Sequence, residues 1–322
     1  MDAIVIESFG GPEQLSFRTE LSSPALLPGH VLIDVATAGI NFTDVYQREG
    51  IYPRPLPFIP GSEGVGRVAA IGEDVTTLAV GDRVAWCTGQ DSYASQVVLA
   101  EDILVPIPDS IADDAAASIL LQGLTAHFLA YDVAKLSAQS TCLITAGAGG
   151  VGLLLTQMAK SLGARVLSVA STSEKQALAR AAGADEVFAY GDSLADEIRA
   201  TTDGLGVDVV FDGVGAATFN QSLEAARVRG LVVLFGAASG AVPPLDPQEL
   251  NKHGSLFLTR PHLRHFTRTR DELMQRASAV LSMVENGTLN VRVSAAYPLR
   301  DAEKAHRDLQ ARITTGSIVL KP

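Results

Sequence analysis

Cysteine is almost absent from this chain, since Cys87 and Cys142 are the only two in 322 residues. Two cysteines cannot build a disulfide framework, and the sequence has no C-x-x-C pair. A structural zinc site made from cysteines needs three or four thiolates, so that kind of site is excluded. Because so few cysteines suit a reducing compartment, we expect a cytoplasmic protein.

Positive charge is also scarce. The chain has 25 Lys and Arg against 36 Asp and Glu, which gives a formal net charge of −11. Phosphate backbones and anionic membrane surfaces attract proteins through clustered basic residues. We therefore expect no membrane partner and regard nucleic acid as an improbable one.

Long apolar runs are missing as well. The N-terminus has no basic segment followed by an apolar stretch, so no signal peptide is expected. Residues 136–159 carry no charge, but glycine, serine, glutamine and threonine interrupt them. A membrane helix needs about 20 mostly apolar residues. A strand, a glycine turn and a helix therefore explain this segment better than a membrane span.

The length predicts about two domains, and hydrophobic residues make up 47% of the chain, enough for a sizeable core. Residues 1–110 consist of short apolar or alternating runs separated by glycine and proline, which predicts mostly strands. A buried helix is expected from Asp113. After it, strand-like runs alternate with helical stretches, as in a doubly wound parallel sheet with helices on both faces. The six runs are 142–147, 164–170, 186–190, 207–213, 231–236 and 255–259, and the helices between them are 151–163, 173–183, 194–202 and 217–230.

A G-x-G-x-x-G motif follows the first strand of this alternation and opens its first helix. In that context the glycines allow a sharp turn, and backbone N–H groups at the helix N-terminus can hold a pyrophosphate. The alternative is a tight glycine turn without a ligand. The predicted dinucleotide-binding residues are Gly147, Gly149, Gly150, Val151 and Gly152.

The end of the second strand indicates which dinucleotide is bound. An NAD site usually places Asp or Glu there to hold the ribose 2′-hydroxyl, whereas this chain has Ala170 and Ser171. Ser171 and Lys175 could donate to a 2′-phosphate, which a carboxylate would repel. We therefore predict NADPH, although Glu174 does not fit this reading and Lys175 could be an ordinary solvated lysine.

Several segments in order resemble the zinc-independent quinone oxidoreductases, the zeta-crystallin-like family of the medium-chain dehydrogenase/reductase superfamily. These segments are 39–53, 60–72, 81–84, 121–129, 146–152, 254–261 and 312–322. The resemblance implies a GroES-like substrate domain of residues 1–122, completed by residues 263–322. It also implies a Rossmann domain of residues 123–262, NADPH in the cleft between the two, and a homodimer.

Relatives that contain zinc hold it with Cys and His in the segments that match 41–44 and 61–64. Here these segments read Asn-Phe-Thr-Asp and Gly-Ser-Glu-Gly, a set that does not favour zinc, so we predict no metal. Alcohol oxidation then lacks the Lewis acid that stabilises an alkoxide. A quinone needs no such help, because it spreads the charge of the incoming hydride over its own ring.

The resemblance also assigns roles to particular residues. It implies that Asn41, Tyr46 and Tyr52 line the catalytic and substrate pocket and that Arg260 enters it. Further cofactor contacts are implied for Asn41, Thr125, Tyr190, Phe235, Gly236, Ser239 and Arg312. Each has a purely structural alternative. Asn41 could cap a helix with Asp44 as its partner, and the two tyrosines could be ordinary half-buried aromatics.

The leading hypothesis is an NADPH-dependent quinone reductase that transfers hydride directly, without a metal. An alternative within enzymes is NADPH-dependent reduction of the double bond of an enone or alkenal. An alternative of another class is an NADPH-liganded RNA-binding or regulatory protein. Only one strip of basic residues could support it: Arg260, His262, Arg264, His265, Arg268 and Arg270.

Overall fold

The computed structural model describes residues 1–322, which form 15 strands and nine helices. The strands are β1 (Ala3–Val5), β2 (Ser16–Arg18), β3 (His30–Ile40), β4 (Glu63–Ile71), β5 (Arg83–Trp86), β6 (Gln96–Ala100), β7 (Val105–Pro106), β8 (Thr141–Ile144), β9 (Arg165–Val169), β10 (Glu186–Phe188), β11 (Val207–Asp212), β12 (Ala226–Leu234), β13 (Phe257–Thr259), β14 (Val293–Pro298) and β15 (Ser317–Lys321). The helices are α1 (Phe42–Arg48), α2 (Asp113–Phe128), α3 (Gly150–Ser161), α4 (Ser173–Ala181), α5 (Leu194–Thr201), α6 (Phe219–Ala225), α7 (Gln248–Lys252), α8 (Arg270–Glu285) and α9 (Ala302–Gln310). A π-helical turn, Leu129–Val133, continues α2.

The chain divides into two compact units. Unit 1 contains Met1–Leu124 and Thr267–Pro322, and unit 2 contains Thr125–Phe266. The first boundary falls inside α2. The two boundaries lie two and four residues beyond the positions expected from the sequence, 122/123 and 262/263.

Unit 1 is built on a seven-stranded sheet in the order β14-β15-β3-β4-β5-β7, in which β6 also pairs with β3. Its ladders are antiparallel except for the β14–β15 pair. The last strand of the chain joins the N-terminal part of the sheet, because β15 pairs with β3 and places Ile318 opposite Ile40. Residues near both ends of the chain therefore belong to one sheet.

The central strand β3 alternates as a half-buried strand should. Val31, Ile33 and Val35 are buried in one hydrophobic core of unit 1. Farther along the strand, Ala38 and Ile40 belong to a second core, together with residues of β1 and β15. β3 therefore serves two cores and ends immediately before α1.

Unit 2 is a parallel six-stranded sheet in the order β10-β9-β8-β11-β12-β13, which confirms the predicted doubly wound domain. Its core packs Leu143, Val210 and Val232 from the strands against Ile198 and Leu223 from the helices. The chain order reverses between β8 and β11, and ligands of such sheets bind beyond the carboxyl ends of the strands at this point.

The predicted helix over residues 217–230 is wrong at its end, because α6 stops at Ala225 and β12 begins at Ala226. The guanidinium of Arg199 donates to the carbonyl oxygens of Glu224 at 2.8 Å and of Ala226 at 2.9 Å. The Arg199 side chain thus supplies hydrogen bonds to carbonyl oxygens at the end of α6, which N–H groups of a further helical turn would otherwise have to supply. No helix of the chain is long and apolar enough to cross a membrane.

Candidate functional site

The glycine turn of unit 2 joins β8 to α3, as the motif predicted. A Cβ on Gly147 would overlap the Ser168 hydroxyl, and one on Gly152 would overlap the carbonyl oxygen of Ala146. At Gly149 the nearest atom, Ala146 O, would lie 3.2 Å from a Cβ. Packing inside the unit therefore requires the first and third glycines, whereas a methyl group at the second would be tight only against Ala146 O, which would have to shift by a few tenths of an ångström.

The first turn of α3 is open to an anion. Gly149 precedes the helix, and no side chain caps its N-terminus. Helices leave their first N–H groups without intrahelical partners, and these groups favour phosphate. Since the fold does not demand a glycine at position 149, its absent side chain fits close approach by a pyrophosphate.

Residues predicted for the adenosine end gather at the carboxyl ends of β9 and β10, the strands beside β8. Thr172 caps α4 by accepting from the backbone N–H of Lys175 at 3.2 Å. Tyr190 lies just beyond β10, and its hydroxyl accepts from the N–H of Ala146 in the glycine turn at 2.8 Å. Ser171 follows β9 on an exposed stretch without a carboxylate at the NAD position. This arrangement brings Ser171, Lys175 and Tyr190 to one edge of the sheet.

On the other side of the switch point, the predicted residues follow β12. The N–H groups of Phe235 and Gly236 donate to the carbonyl oxygen of Asp212 at 2.9 and 3.3 Å. The Ser239 hydroxyl donates to Val214 O at 2.7 Å, so it already has a structural partner. The loop after β12 is thus held against the loop after β11.

The carboxylate of Asp212, which sequence reasoning missed, organises the loop after β11. It is fully buried and accepts from the N–H groups of Val214 at 2.9 Å and Gly215 at 3.1 Å. It also accepts from the hydroxyls of Thr218 and Ser222, each at 2.8 Å. A charged residue directly after the apolar run Val209–Phe211 of a parallel strand was the signal that could have found it.

Three further predicted residues remain, two just beyond the ends of elements and one within α2. Arg260 follows β13 and donates to the carbonyl oxygen of Leu234 at the end of β12, at 3.0 Å. Arg312 lies in unit 1, two residues beyond α9, in the left-handed region with φ 57°. Thr125 is the first residue of unit 2 and lies within α2. Their cofactor or substrate contacts stay predictions.

In unit 1 the two predicted tyrosines lie together. The rings of Tyr46 and Tyr52 meet edge to face, with centroids 5.4 Å apart. The N–H of Tyr52 donates to Tyr46 O at 3.1 Å, which closes the loop after α1. Tyr52 is 40% exposed, so its ring can contact a ligand.

Asn41 stands immediately before α1, and buried groups hold its amide on both sides. Its Nδ2 donates to Glu63 Oε2 at 2.9 Å, and its Oδ1 accepts from Gln122 Nε2 at 3.1 Å. Its backbone N–H donates to Asp44 Oδ2 at 2.8 Å, as a capping partner would accept it. The capping alternative therefore applies to its backbone, while the side chain turns to Glu63.

Asp44 and Glu63 are both fully buried carboxylates. Burial raises the pKa of Asp44 to about 6. Burial, aided by the charge of Asp44, raises the pKa of Glu63 to about 8. Sequence reasoning missed Glu63, although a glutamate at the start of the apolar strand β4 was a visible signal. No group of three or more His, Cys, Asp or Glu is placed to hold a metal ion.

The chain matches two families, in separate segments. Residues 27–109 match the alcohol dehydrogenase GroES-like domain, and residues 150–284 match the zinc-binding dehydrogenases. A quinone oxidoreductase from Pseudomonas aeruginosa is 41% identical over 323 residues, which cover 99% of each chain. A 2-haloacrylate reductase from Burkholderia sp. is 36% identical and covers 99% of this chain and 98% of its own. A mycobacterial protein solved in complex with NADPH has a TM-score of 0.97 and 46% identity, with 100% of both chains covered.

The glycine turn yields a test that separates folding from ligand binding. We expect Gly149→Ala to lose less thermal stability than Gly147→Ala, since it makes one tight contact with Ala146 O, but to weaken NADPH binding about tenfold or more, because its methyl group would meet the pyrophosphate. Gly147→Ala is the matched comparison, and it should destabilise the protein by about 1–3 kcal/mol through overlap with Ser168. Fluorescence titration with NADPH and thermal unfolding measure the two effects. Unchanged NADPH affinity in Gly149→Ala would contradict the assignment.

Proposed function

Because this chain belongs to the quinone oxidoreductase family of the medium-chain dehydrogenase/reductase superfamily, we propose that it catalyses the NADPH-dependent reduction of quinones. The observation that carries the proposal is the glycine turn, where a methyl group on Gly149 would meet a single atom of the fold and no side chain caps α3. The 41% identity to a quinone oxidoreductase along almost the whole chain supports the same activity. The protein is accordingly an oxidoreductase of the zinc-independent type.

Unit 2 holds the cofactor. Gly149 and the first turn of α3 receive the pyrophosphate, and Ser171 and Lys175 receive the 2′-phosphate. A carboxylate directly after β9, at the NAD position, would repel that phosphate, and Ala170 and Ser171 stand there instead. Glu174, in the first turn of α4, is the carboxylate that does not fit this site. Bound NADPH supplies a hydride from its nicotinamide ring.

Unit 1 supplies the acceptor side. The rings of Tyr46 and Tyr52 offer flat apolar surface to a quinone, and the exposed fraction of Tyr52 keeps this surface accessible. Hydride addition leaves a hydroquinone anion, whose oxygen takes a proton from water or from the Tyr52 hydroxyl. Asn41 presents an amide that can hydrogen-bond the same oxygen.

A related reaction is the second candidate. The similarity to a 2-haloacrylate reductase favours reduction of a carbon–carbon double bond next to a carbonyl or carboxyl group. The same cofactor residues would serve both reactions, because each begins with hydride transfer to an electron-poor carbon. The acceptor therefore distinguishes the candidates.

An RNA-binding role has less support from the basic strip. Arg260 donates to Leu234 O, and Arg268 pairs with Glu272 at 3.3 Å. Arg270 donates to the carbonyl oxygens of Glu101, Asp102 and Leu104. The His262 ring accepts from the backbone N–H of Arg264 at 3.2 Å. Four of the six residues thus have structural partners, which leaves little basic surface for phosphates.

We further propose a cytoplasmic homodimer. Both cysteines are buried free thiols, which agrees with a reducing compartment. At the edge of the sheet of unit 2, β13 pairs only with β12. Phe257 in β13 and Val228 in β12 are each 64% exposed there. An edge strand with exposed apolar side chains is suited to pairing with a second copy of the chain.

The proposed reaction is tested with purified protein and a panel of acceptors. We expect oxidation of NADPH by ortho- and para-quinones, with slower turnover of enones and 2-haloacrylates. Stopped-flow absorbance of NADPH measures each rate. Turnover of enones or haloacrylates without any turnover of quinones would contradict the main proposal and support the second candidate.

The cofactor preference is tested by Lys175→Ala. Loss of a charge-assisted hydrogen bond to the 2′-phosphate should weaken NADPH binding about tenfold or more and leave NADH binding unchanged. Lys252→Ala removes an exposed lysine of α7 from the same unit and should change neither affinity. Equal effects of Lys175→Ala on both nucleotides would refute the 2′-phosphate site.

The dimer is tested by Phe257→Asp. A charge at the exposed edge should convert a dimer of the 33.7 kDa chain into a monomer. Leu205→Asp places the same charge at an equally exposed apolar residue between α5 and β11, and it should remain dimeric. Light scattering after gel filtration measures both. A Phe257→Asp protein that stays dimeric would place the interface elsewhere.

A further inference from the structure

Two chains of hydrogen bonds end on the two buried carboxylates of unit 1. Glu63 and Asp44 are fully buried, and neither forms a direct ion pair. Both contact Asn41, one through its side chain and the other through its backbone N–H. A buried ionised carboxylate needs donors around it, so the direction of each hydrogen bond in a chain depends on whether the carboxylate is charged.

The first chain runs toward Glu63. The Ser317 hydroxyl donates to Gln122 Oε1 at 2.7 Å, Gln122 Nε2 donates to Asn41 Oδ1 at 3.1 Å, and Asn41 Nδ2 donates to Glu63 Oε2 at 2.9 Å. The other oxygen, Oε1, accepts from the backbone N–H of Leu121 at 2.7 Å. All donors thus point at the carboxylate, as its ionised form requires.

The space around Glu63 is tight. A Cβ on Gly39 would lie 2.9 Å from Glu63 Oε2 and would overlap the carbonyl oxygen of Ala117. β3 and α2 can therefore enclose the carboxylate only because position 39 is glycine. This enclosure prevents Glu63 from turning to water when its charge changes.

The second chain runs toward Asp44 and has a fixed direction. Arg48 Nη1 lies 3.2 Å from His306 Nδ1, His306 Nε2 lies 3.1 Å from the Tyr93 hydroxyl, and that hydroxyl donates to Asp44 Oδ2 at 3.1 Å. Burial and the charge of Arg48 lower the pKa of His306 to about 3, so His306 is neutral. An arginine can only donate, so Nδ1 must accept and Nε2 must donate.

The first chain, by contrast, has two allowed directions. Serine, glutamine and asparagine each carry both a donor and an acceptor, and amide groups can exchange the two by turning over. If Glu63 gains a proton, its O–H can donate to Asn41 Oδ1. Asn41 Nδ2 then donates to Gln122 Oε1, and Gln122 Nε2 donates to Ser317. Every hydrogen bond is kept, and the added proton comes from solvent.

We propose that Glu63 is a positioning residue whose charge sets the direction of the Ser317–Gln122–Asn41 chain and thereby the polarity that Asn41 presents to the acceptor. The Asn41 amide has one N–H and one lone pair that the chain does not use. When the chain reverses, the amide turns over, and these two groups exchange places. A quinone oxygen accepts hydrogen bonds, so the two directions bind and stabilise it differently. The proposal rests on the proposed function, since it assigns the Asn41 amide to the acceptor.

The groups around Glu63 place its change of charge near pH 8. Asp44 lies beside it, and the pKa of Glu63 is raised to about 8 mainly by burial and further by Asp44. Cys87 is the other titratable neighbour, and burial raises the pKa of its thiol far above the usual range, so it stays neutral. Burial raises the pKa of Asp44 only to about 6, so around pH 8 Asp44 stays ionised while Glu63 changes charge.

The variant Glu63→Gln tests the proposal. The N–H of Leu121 requires an oxygen opposite it, so the new amide must turn its NH₂ group toward Asn41 and hold the chain in the reversed direction at every pH. For the wild type we expect kcat/KM with a quinone to change about fivefold around pH 8, the effect of one hydrogen bond. For Glu63→Gln we expect kcat/KM to show no inflection with pH. Its kcat/KM should equal the value that the wild type reaches below pH 8, where Glu63 is protonated.

A control and a second measurement separate this proposal from the proposed function. Glu285→Gln, at an exposed carboxylate at the end of α8, should keep the wild-type pH profile. The side-chain NH₂ resonances of Asn41, assigned through their loss in Asn41→Ala, should titrate near pH 8 in the wild type and stay constant in Glu63→Gln. If these resonances behave so but no quinone is reduced, the proposed function fails and the role of Glu63 stands.

The opposite result overturns the role of Glu63. If the pH profile of kcat/KM keeps its inflection in Glu63→Gln, the reversal of the chain is contradicted. The same holds if kcat/KM of the variant equals the wild-type value above pH 8. If Glu63→Gln does not fold, the wild type alone decides. Quinone reduction without a change in kcat/KM or in the Asn41 resonances between pH 7 and 9, where Asp44 stays ionised, would refute the proposal.

Discussion

Burying a carboxylate without a cation beside it constrains everything around it, and unit 1 does this twice. Glu63 and Asp44 each need donors, and Asn41 supplies one to both, from its side chain and from its backbone. This requirement fixes where β3 ends, how α1 begins and which turn of α2 faces the sheet, because the N–H of Leu121 must reach Glu63. Asn41 and the first turn of α1 are thus held in place by two buried carboxyl groups.

Unit 2 solves a similar problem with backbone groups. Asp212 is buried at the carboxyl end of β11, and N–H groups of the next loop, together with hydroxyls of Thr218 and Ser222, satisfy it. The glycine turn after β8 completes the same edge of the sheet. Two of its glycines are needed for packing, whereas a methyl group at Gly149 would meet only one tight contact, with Ala146 O, and the proposed role of this glycine is to admit the pyrophosphate. Structural and binding requirements are therefore separable within a single motif.

The fold could be predicted further than the site. Alternation of strand and helix predicted the parallel sheet of unit 2, because period and glycine spacing are local properties. The end of α6 was wrong, since Arg199, which lies on α5, satisfies the carbonyls there. The resemblance to a known family supplied Asn41 and the two tyrosines. It did not supply Glu63, Asp212 or the chain through His306, whose partners lie far away in the sequence.

By itself the sequence determined the class of the protein: two units, a dinucleotide turn, the absence of zinc ligands at 41–44 and 61–64, and an NADPH-type end of β9. These properties depend on residue types at short spacing, so the sequence alone is enough to recognise them. Only the tertiary structure decided that Asn41 is held between Glu63 and Gln122. It also decided that an added methyl group would overlap Ser168 at Gly147 but would meet only one tight contact at Gly149. Hydrogen-bond direction and packing depend on atoms from distant segments, such as Ser317 and Gln122, whose proximity is created only by folding.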